Sequence, residues 1–413
     1  MPSKPSIDPA RLRRTLGGIN RFGHNPATGG YNRTGYSDAD MAAREWFEGE
    51  MRAEGLETRR DGVANLFGRF GPAAGPCIMA GSHLDTVPEG GAFDGALGVA
   101  VAFECVLAMR DAGIAPGIAV EVVATAEEEG RFGGMLGSQA IAGVVRPDWL
   151  ARAADADGIR LADAMAAQGL NAMDALSARR SDVQAFLELH VEQGPVLESR
   201  SVPVGIVRSV AGVRNLKVRL IGEANHSGTT PMELRSDAFA GLAMIGAAIP
   251  GLIAASGGEN TRVTIGKADL RPNFIHTIPG EAEFVVNIRD PDSAVMDNAE
   301  AAVRAVVAEA AGRHRLQAVI ADQSRIPAVQ LDERLAALLE EEADRLGLEF
   351  LSMTSGAGHD AQTMQTCCPS VLIFVPSRGG ISHSPLEWTE PADIEAGAKL
   401  MLAALLRLSG RTE

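Results

Sequence analysis

GSHLDTVPEGGAFDG, residues Gly81 to Gly95, follows directly on the apolar run Cys77 Ile78 Met79 Ala80. That run is short and free of charge, the pattern of a buried strand. His83 then emerges where the strand ends, with Asp85 and Asp94 behind it in a glycine-rich loop. Open α/β sheets bind ligands outside the carboxyl ends of their strands, where polar side chains converge without being buried unpaired. One His and two Asp in such a place read as the opening half of a two-metal site.

Three further apolar runs, Ile118 to Ala124, Ala185 to Leu189 and Val371 to Val375, are each followed by groups of the same chemistry. After the first come Glu127, Glu128 and Glu129, three adjacent carboxylates that repel one another. In isolation such a run is a set of solvated loop charges, but a cation would remove the repulsion. His190 stands at the end of the second run, where a single His is also a common hydrogen-bonded structural residue. His383 follows the third in SRGGISHSP, a loop that equally reads as a plain turn. Taken together, His83 and Asp94, Glu129, His190 and His383 follow four separate strands at their carboxyl ends. Imidazole and carboxylate donors without thiolate suit a catalytic zinc or manganese site with open positions. Five ligands serve two metals if one carboxylate is shared. Glu128, beside a ligand but not consumed as one, is the candidate general base, and Asp85 is placed behind His83 as its orienting partner.

The buried runs alternate with helical patterns at Ala96 to Ala112 and Ile141 to Ala178, the texture of an α/β domain with a mainly parallel sheet and helices on both faces. Between Gly212 and Pro327 the texture changes to period-two strands, Leu216 to Ile221, Thr261 to Ala268 and Glu281 to Arg289, with helices at Ser236 to Ile249 and Ala294 to Ala311. This predicts an inserted α+β domain with an antiparallel sheet, residues 212–327, within a catalytic domain formed by residues 1–211 and 328–413.

The insert carries GEANHSGTTP, Gly222 to Pro231, a polar loop suited to holding an oxyanion, in which His226 is also readable as a turn residue. Asn273 and Arg289 are candidates for a substrate carboxylate, since Arg pairs with one in a bidentate fork; a surface salt bridge is the alternative for Arg289.

At 413 residues, with 46% apolar and 22% charged residues, the chain has the composition of a folded protein of two domains. A net charge of -15 opposes nucleic acid and anionic membrane surfaces. Ala238 to Gly258 has no charge and is formally long enough to span a bilayer. Pro250 and Gly251 are expected to break that helix after about three turns, so it reads as packed on a sheet or a partner subunit. Cys77, Cys105, Cys367 and Cys368 have neither zinc-knuckle spacing nor scaffold density and read as reduced, buried thiols. No secretory leader is visible at the N-terminus, and a cytoplasmic location is expected.

HLDTVPEGGAFDGALGV, TAEEEGRFGGMLGS, ELHVEQGP, NHSGTTPM, GAGHDA and SRGGISHSP, with GGYNRTGYSDADMAAREWF nearer the N-terminus, together resemble the hydantoinase/carbamoylase family of dinuclear-zinc amidohydrolases, relatives of the aminoacylase and carboxypeptidase metallopeptidases. The resemblance implies that His83, Asp94 and His190 hold one metal and Asp94, Glu129 and His383 the other, with Zn2+ first and Mn2+, Co2+ or Ni2+ as alternatives. It implies Glu128 as base, Gln193, His226, Asn273, Arg289 and His359 as substrate contacts, and a homodimer formed through the insert. His190 stands where peptidase relatives commonly have a carboxylate, which favours the carbamoylase branch. The expected reaction is hydrolysis of an N-carbamoyl-L-amino acid. Allantoate amidohydrolase and β-ureidopropionase are close rivals; a dipeptidase, an aminoacylase or an inert binding protein stands further off.

Overall fold

The computed structural model describes residues 4–410. The four apolar runs are strands Cys77–His83, Ala119–Thr125, Val183–Val191 and Ser370–Val375. Cys77–His83 lies between the Ala119–Thr125 and Val183–Val191 strands, Ser370–Val375 lies beyond the latter, and all three pairings are parallel. Glu57–Arg60 and Leu66–Phe70 extend the sheet on the Ala119 side, and Val204–Val210 extends it beyond Ser370–Val375, each by antiparallel pairing. The centre is therefore parallel and buried, which is why its strands read as continuous apolar runs.

Alternation divides the two faces of this sheet. Ile78, Ala80, Val120, Val122, Leu187, Leu189, Val371 and Ile373 point into one core, shared with helices Pro9–Ile19, Ala96–Asp111 and Pro391–Leu408. Ala96–Asp111 is buried over nearly its whole length, so its apolar residues need no amphipathic stripe. Residues of the opposite parity, among them His83, Thr125, Glu188 and His190, face the side on which the short helices Leu136–Ala142 and Asp360–Met364 pack.

The Ile141 to Ala178 pattern is not one helix. It is divided into Leu136–Ala142, Pro147–Leu150, Leu161–Ala167 and a 3-10 turn at Ala172–Leu176. Gly143, Gly158 and Gly169 all have positive φ, and Pro147 opens the second piece. The apolar spacing survives these breaks because the pieces share a satellite core of Leu136, Leu150, Leu161 and Met165.

The chain divides into two compact units, residues 1–208, 331–353 and 358–413 in one and residues 209–330 with 354–357 in the other. The second unit has its own antiparallel sheet, in the order Gln317–Ile326, Gly212–Ile221, Glu281–Asp290, Arg262–Arg271. The strand Gln317–Ile326 escapes the sequence reading because it is an edge strand, largely exposed on both faces. Helices Ala238–Ser256 and Ser293–His314 pack on this sheet.

Pro250 does not end its helix, contrary to the expectation from sequence: Ala238–Ser256 runs through it. Proline forfeits only the bond to the carbonyl four residues back, and Ile245 and Leu252, buried on either side of it, hold both halves to the sheet. This helix is long and apolar enough to cross a membrane by length and composition, with only Ala238, Gly241, Ile245 and Leu252 buried.

Candidate metal centre

Strand parity delivers the first two ligands. His83 ends its strand opposite Thr125, and His190 sits one residue before the end of its own. Both project on the same face, with their rings 5.8 Å apart. Asp94 reaches between them: its Oδ1 is 3.0 Å from His190 Nε2 and 3.4 Å from His83 Nε2, and its Oδ2 is 3.3 Å from His383 Nε2. His383 Nε2 is also 3.3 Å from Glu129 Oε2. Two groups of potential ligand atoms result, His83–Asp94–His190 and Asp94–Glu129–His383, each converging within 4.8 Å and sharing Asp94. The structure thus brings all five sequence-selected ligands together. All but His383 are withdrawn from solvent; its side chain is 48% exposed and marks the side from which the centre is reached.

Glu128 stands beside both groups and belongs to neither, its Oε2 3.5 Å from His83 Nε2. Asp85 does two things. Its backbone carbonyl faces His83 Nδ1 at 2.9 Å, which leaves Nε2 to face Asp94. Its carboxylate accepts from the backbone N–H groups of Glu128 and Glu129 at 3.3 and 3.1 Å and so pins the loop that carries both residues. Gln193 Nε2 donates to Asp94 Oδ2 at 2.8 Å. His359 is buried with its ring 4.6 Å from that of His190, and burial holds it well below the usual histidine range, as a neutral imidazole.

The electrostatics are those of a cation site. Burial, together with repulsion from Glu129 and Asp360, holds Glu128 well above the usual carboxylate range despite His83. Glu129 is pushed up to about 7 by burial and by Asp94. Burial opposes a charge on His190, but Asp94 overcomes it and raises the imidazole to about 9. His83 is likewise raised, with Glu128 and Asp94 outweighing burial. Three imidazoles and two carboxylates in two groups fit divalent ions that take nitrogen and oxygen donors. Glu129 Oε1 is buried with no hydrogen-bond partner, a lone acceptor on a carboxylate whose Oε2 faces His383.

Two other clusters do not fit. Glu121, near Cys77 and Asp182, is already neutralised by Arg69 at 2.7 Å and Arg180 at 3.0 Å. Glu188, near His190 and His359, accepts from Ser82 Oγ and the Ala361 backbone at 2.6 and 2.8 Å.

Several supporting residues escaped the sequence reading. Glu387 is buried; its Oε1 accepts from the N–H groups of Phe93 and Asp94 at 2.8 and 3.0 Å, and its Oε2 from Ser382 Oγ at 2.7 Å. Arg33, wholly buried, donates to the Leu84 carbonyl at 3.0 Å, and Arg44, fixed by Asp40 at 2.8 Å, donates to the Ala124 and Thr125 carbonyls. The segment GGYNRTGYSDADMAAREWF thus secures the ends of the strands that carry His83 and the three glutamates. Glu127 is not a loop charge: it is fully buried and accepts from Phe132 and Gly134. Glu127, Gln193 and His383 have φ of 55°, 59° and 53°, a conformation costing a non-glycine residue about 1–3 kcal/mol that clusters at functional sites.

His226, Asn273 and Arg289 lie in the second unit. His226 is exposed, and the N–H groups of Gly228 and Thr229 point at its Nδ1 at 3.0 and 3.2 Å, which places the ring proton on Nε2 as an outward donor. Asn273 is exposed with φ 51°. Arg289 is held by the Asn287 side chain at 3.1 Å and the Gly356 carbonyl at 2.5 Å.

The profile of Peptidase family M20/M25/M40 matches residues 79–407. Allantoate amidohydrolase of Escherichia coli (strain K12) is 37% identical over 406 residues, covering 96% of this chain and 97% of that protein. N-carbamoyl-L-amino acid amidohydrolase of Geobacillus stearothermophilus is 36% identical over 412 residues, 98% of this chain and 99% of that protein. A solved hydantoinase/carbamoylase family amidase from Burkholderia ambifaria has a TM-score of 0.90 at 35% identity and covers 100% of both chains.

Proposed function

Because this chain belongs to Peptidase family M20/M25/M40, we propose that it hydrolyses the carbamoyl C–N bond of an N-carbamoyl-L-amino acid, giving the L-amino acid, carbon dioxide and ammonia. The coarser activity, that of a hydrolase acting on linear amide C–N bonds, is common to its relatives over nearly the whole length. The observation that carries the reading is Glu128, a buried carboxyl with raised proton affinity, adjoining two ligand groups that share Asp94.

Divalent ions, Zn2+ first with Mn2+, Co2+ or Ni2+ as alternatives, would be held by His83, Asp94 and His190 and by Asp94, Glu129 and His383, and supply Lewis acidity toward a carbonyl and toward water. Glu128 takes a proton from the attacking water and returns it to the leaving nitrogen, work suited to a carboxyl whose proton affinity burial has raised above the ordinary range. Asp85 keeps that carboxylate in register through the backbone of the loop. The family resemblance assigns His226, as a donor to the tetrahedral oxyanion, to the active site of the partner subunit, and Arg289 with Asn273 to the substrate carboxylate, while Gln193 and His359 border the ligand groups.

Allantoate is the second reading, favoured by the 37% identity to the Escherichia coli enzyme. The deciding assay measures ammonia release by metal-loaded protein from N-carbamoyl-L-amino acids, N-carbamoyl-β-alanine and allantoate. The highest kcat/KM is expected on the first, and a preference for either of the others overturns the substrate assignment. Glu128→Gln should abolish turnover on the preferred substrate with metal content near wild type.

The reading includes a homodimer formed through the second unit. Helix Ala238–Ser256 leaves most of its apolar surface uncovered, including Phe239 at 50% exposure, and such a face calls for a partner. A monomeric mass by light scattering at micromolar concentration would remove the dimer.

A further inference from the structure

His226 sits on a turn that closes on itself. Its backbone bridges to Thr277, its carbonyl accepts from the Thr230 N–H at 3.2 Å, and the Ser227 N–H donates to the His276 carbonyl at 3.0 Å. The imidazole folds back over this turn, its Nδ1 3.0 and 3.2 Å from the N–H groups of Gly228 and Thr229. A Cβ at residue 228 would lie 3.2 Å from His226 Cε1, tighter than ordinary contact, so glycine is what admits the ring.

Arg235 grips the other side of the same turn. Its Nη2 donates to the Ser227 carbonyl at 2.6 Å and its Nε to the Thr230 carbonyl at 3.0 Å. In a planar trans peptide the C=O and N–H point opposite ways. The Ser227 carbonyl and the Gly228 N–H share one such peptide, so drawing the oxygen onto Arg235 aims the hydrogen at His226 Nδ1. Arg315, which follows helix Ser293–His314, donates to the carbonyls of Glu233 and Arg235 at 2.5 and 2.7 Å and fixes the chain from which Arg235 reaches. Four main-chain carbonyls thus take the donors of two guanidinium groups, neither of which enters an ion pair among the described residues. Their role is directional hydrogen bonding rather than charge pairing.

From this we infer that Arg235 is a positioning residue for His226: by holding the Ser227 and Thr230 carbonyls it keeps the Gly228 and Thr229 N–H groups on Nδ1 and the ring proton on Nε2. Which imidazole nitrogen carries the proton is set by the hydrogen bond that the other makes. Without Arg235 the Ser227–Gly228 peptide is free to turn its oxygen toward Nδ1. The Nε2 proton then passes to solvent, another is taken up on Nδ1 with no change of charge, and Nε2 becomes an acceptor. Only the use of the Nε2–H, donation to the oxyanion, rests on the hydrolytic reading; the placement of the proton does not.

The test uses metal-loaded full-length protein labelled with nitrogen-15 histidine, at about pH 8, above the ordinary imidazole range. The His226 signals, identified by their loss in His226→Ala, should report a single Nε2–H tautomer in wild type. In Arg235→Ala the Nδ1 and Nε2 resonances should draw together as the two tautomers exchange. On the substrate preferred in the ammonia assay, kcat of Arg235→Ala should fall about 10- to 100-fold with KM little changed, since a donor is displaced rather than removed. In a His226→Ala background the same change should cost almost nothing further, the mark of a residue acting through another. Free guanidinium ion, at concentrations without effect on wild type, should restore part of kcat to Arg235→Ala and none to His226→Ala. An unchanged ring signature in Arg235→Ala, or in Arg235→Lys should the alanine variant not fold, overturns the inference. So does a loss of turnover that persists undiminished in the His226→Ala background. Wild-type turnover in His226→Ala instead removes the oxyanion role from the hydrolytic reading, and the ring signature alone then decides the role of Arg235.

Discussion

Gly95→Ala is the sharpest single perturbation of the metal centre, because the residue brings no side chain to it: its backbone N–H lies 3.3 Å from His190 Nε2 and its Cα faces the His83 ring. Gly95 has φ +64°, and a Cβ there would lie 2.4 Å from His83 Cε1 and Nδ1 and 2.6 Å from its Cγ, against 3.4 Å for the onset of ordinary contact. The imidazole must therefore withdraw by about 1 Å, or the backbone must turn, and a misplacement of that size costs about 100-fold where groups must be aligned. Withdrawal also breaks the 2.9 Å contact of His83 Nδ1 with the Asp85 carbonyl, which sets the orientation of the ring. The left-handed backbone adds about 1–2 kcal/mol of strain for alanine. Two measurements separate these effects: denaturant unfolding of metal-free protein reads the strain, and chelator competition reads metal affinity. The expectation is a loss of about 1–2 kcal/mol in the first and of 10- to 100-fold in the second. Gly17→Ala, on an exposed helix position with nothing within 4 Å, is the control and should gain up to about 1 kcal/mol with affinity unchanged. Wild-type metal affinity in Gly95→Ala would refute the claim that this glycine exists to admit the His83 ring.

Metal affinity should rise with pH. Metal-free His190 keeps its proton up to about 9 and His83 is raised in the same sense, so a metal must displace these protons below that range. Affinity should climb roughly tenfold per pH unit for each proton displaced up to about pH 9, where the His190 contribution ends; a flat profile between pH 6 and 9 contradicts the assignment of His190 as a ligand. Glu387→Ala strands the buried N–H groups of Phe93 and Asp94 at about 1–3 kcal/mol each, whereas Glu387→Gln keeps an acceptor. Unfolding of the metal-free variants should show the alanine clearly less stable than the glutamine, and equal stabilities would mean that Glu387 does not hold the turn.

What the sequence made legible followed from burial and parity. The four central strands are mostly apolar because both of their faces are covered, with Glu121 and Glu188 the buried exceptions, and a polar residue ending such a run lies at the sheet's rim. That is why His83, Glu129, His190 and His383, far apart in the chain, converge in space. Three features had no such signal. Positive φ at Glu127, Gln193 and His383 cannot be read from residue types that ordinarily avoid it. Glu387 and Arg44 look like surface charges until tertiary contacts bury them, and their partners are backbone groups that carry no sequence mark. The Ala238–Ser256 helix misled in the opposite direction, since the local penalty of Pro250 is smaller than the packing of Ile245 and Leu252 on either side of it.

These omissions share one cause and have one consequence for the chemistry. Residues that supply donor atoms are chosen for their own side chains and can be recognised one at a time. Residues that set distances act on the backbone of others: Asp85 on Glu128 and Glu129, Glu387 on Asp94, Arg33 and Arg44 on the strand ends. Asp94 is the point where the two kinds meet, because it belongs to both ligand groups and its backbone is fixed by Glu387 while its Oδ2 also receives Gln193 and Ser382. A carboxylate that belongs to two ligand groups tolerates little displacement, since a shift that improves one group lengthens the other. The buried shell around the Asp94 turn is therefore as much a part of the centre as its ligands.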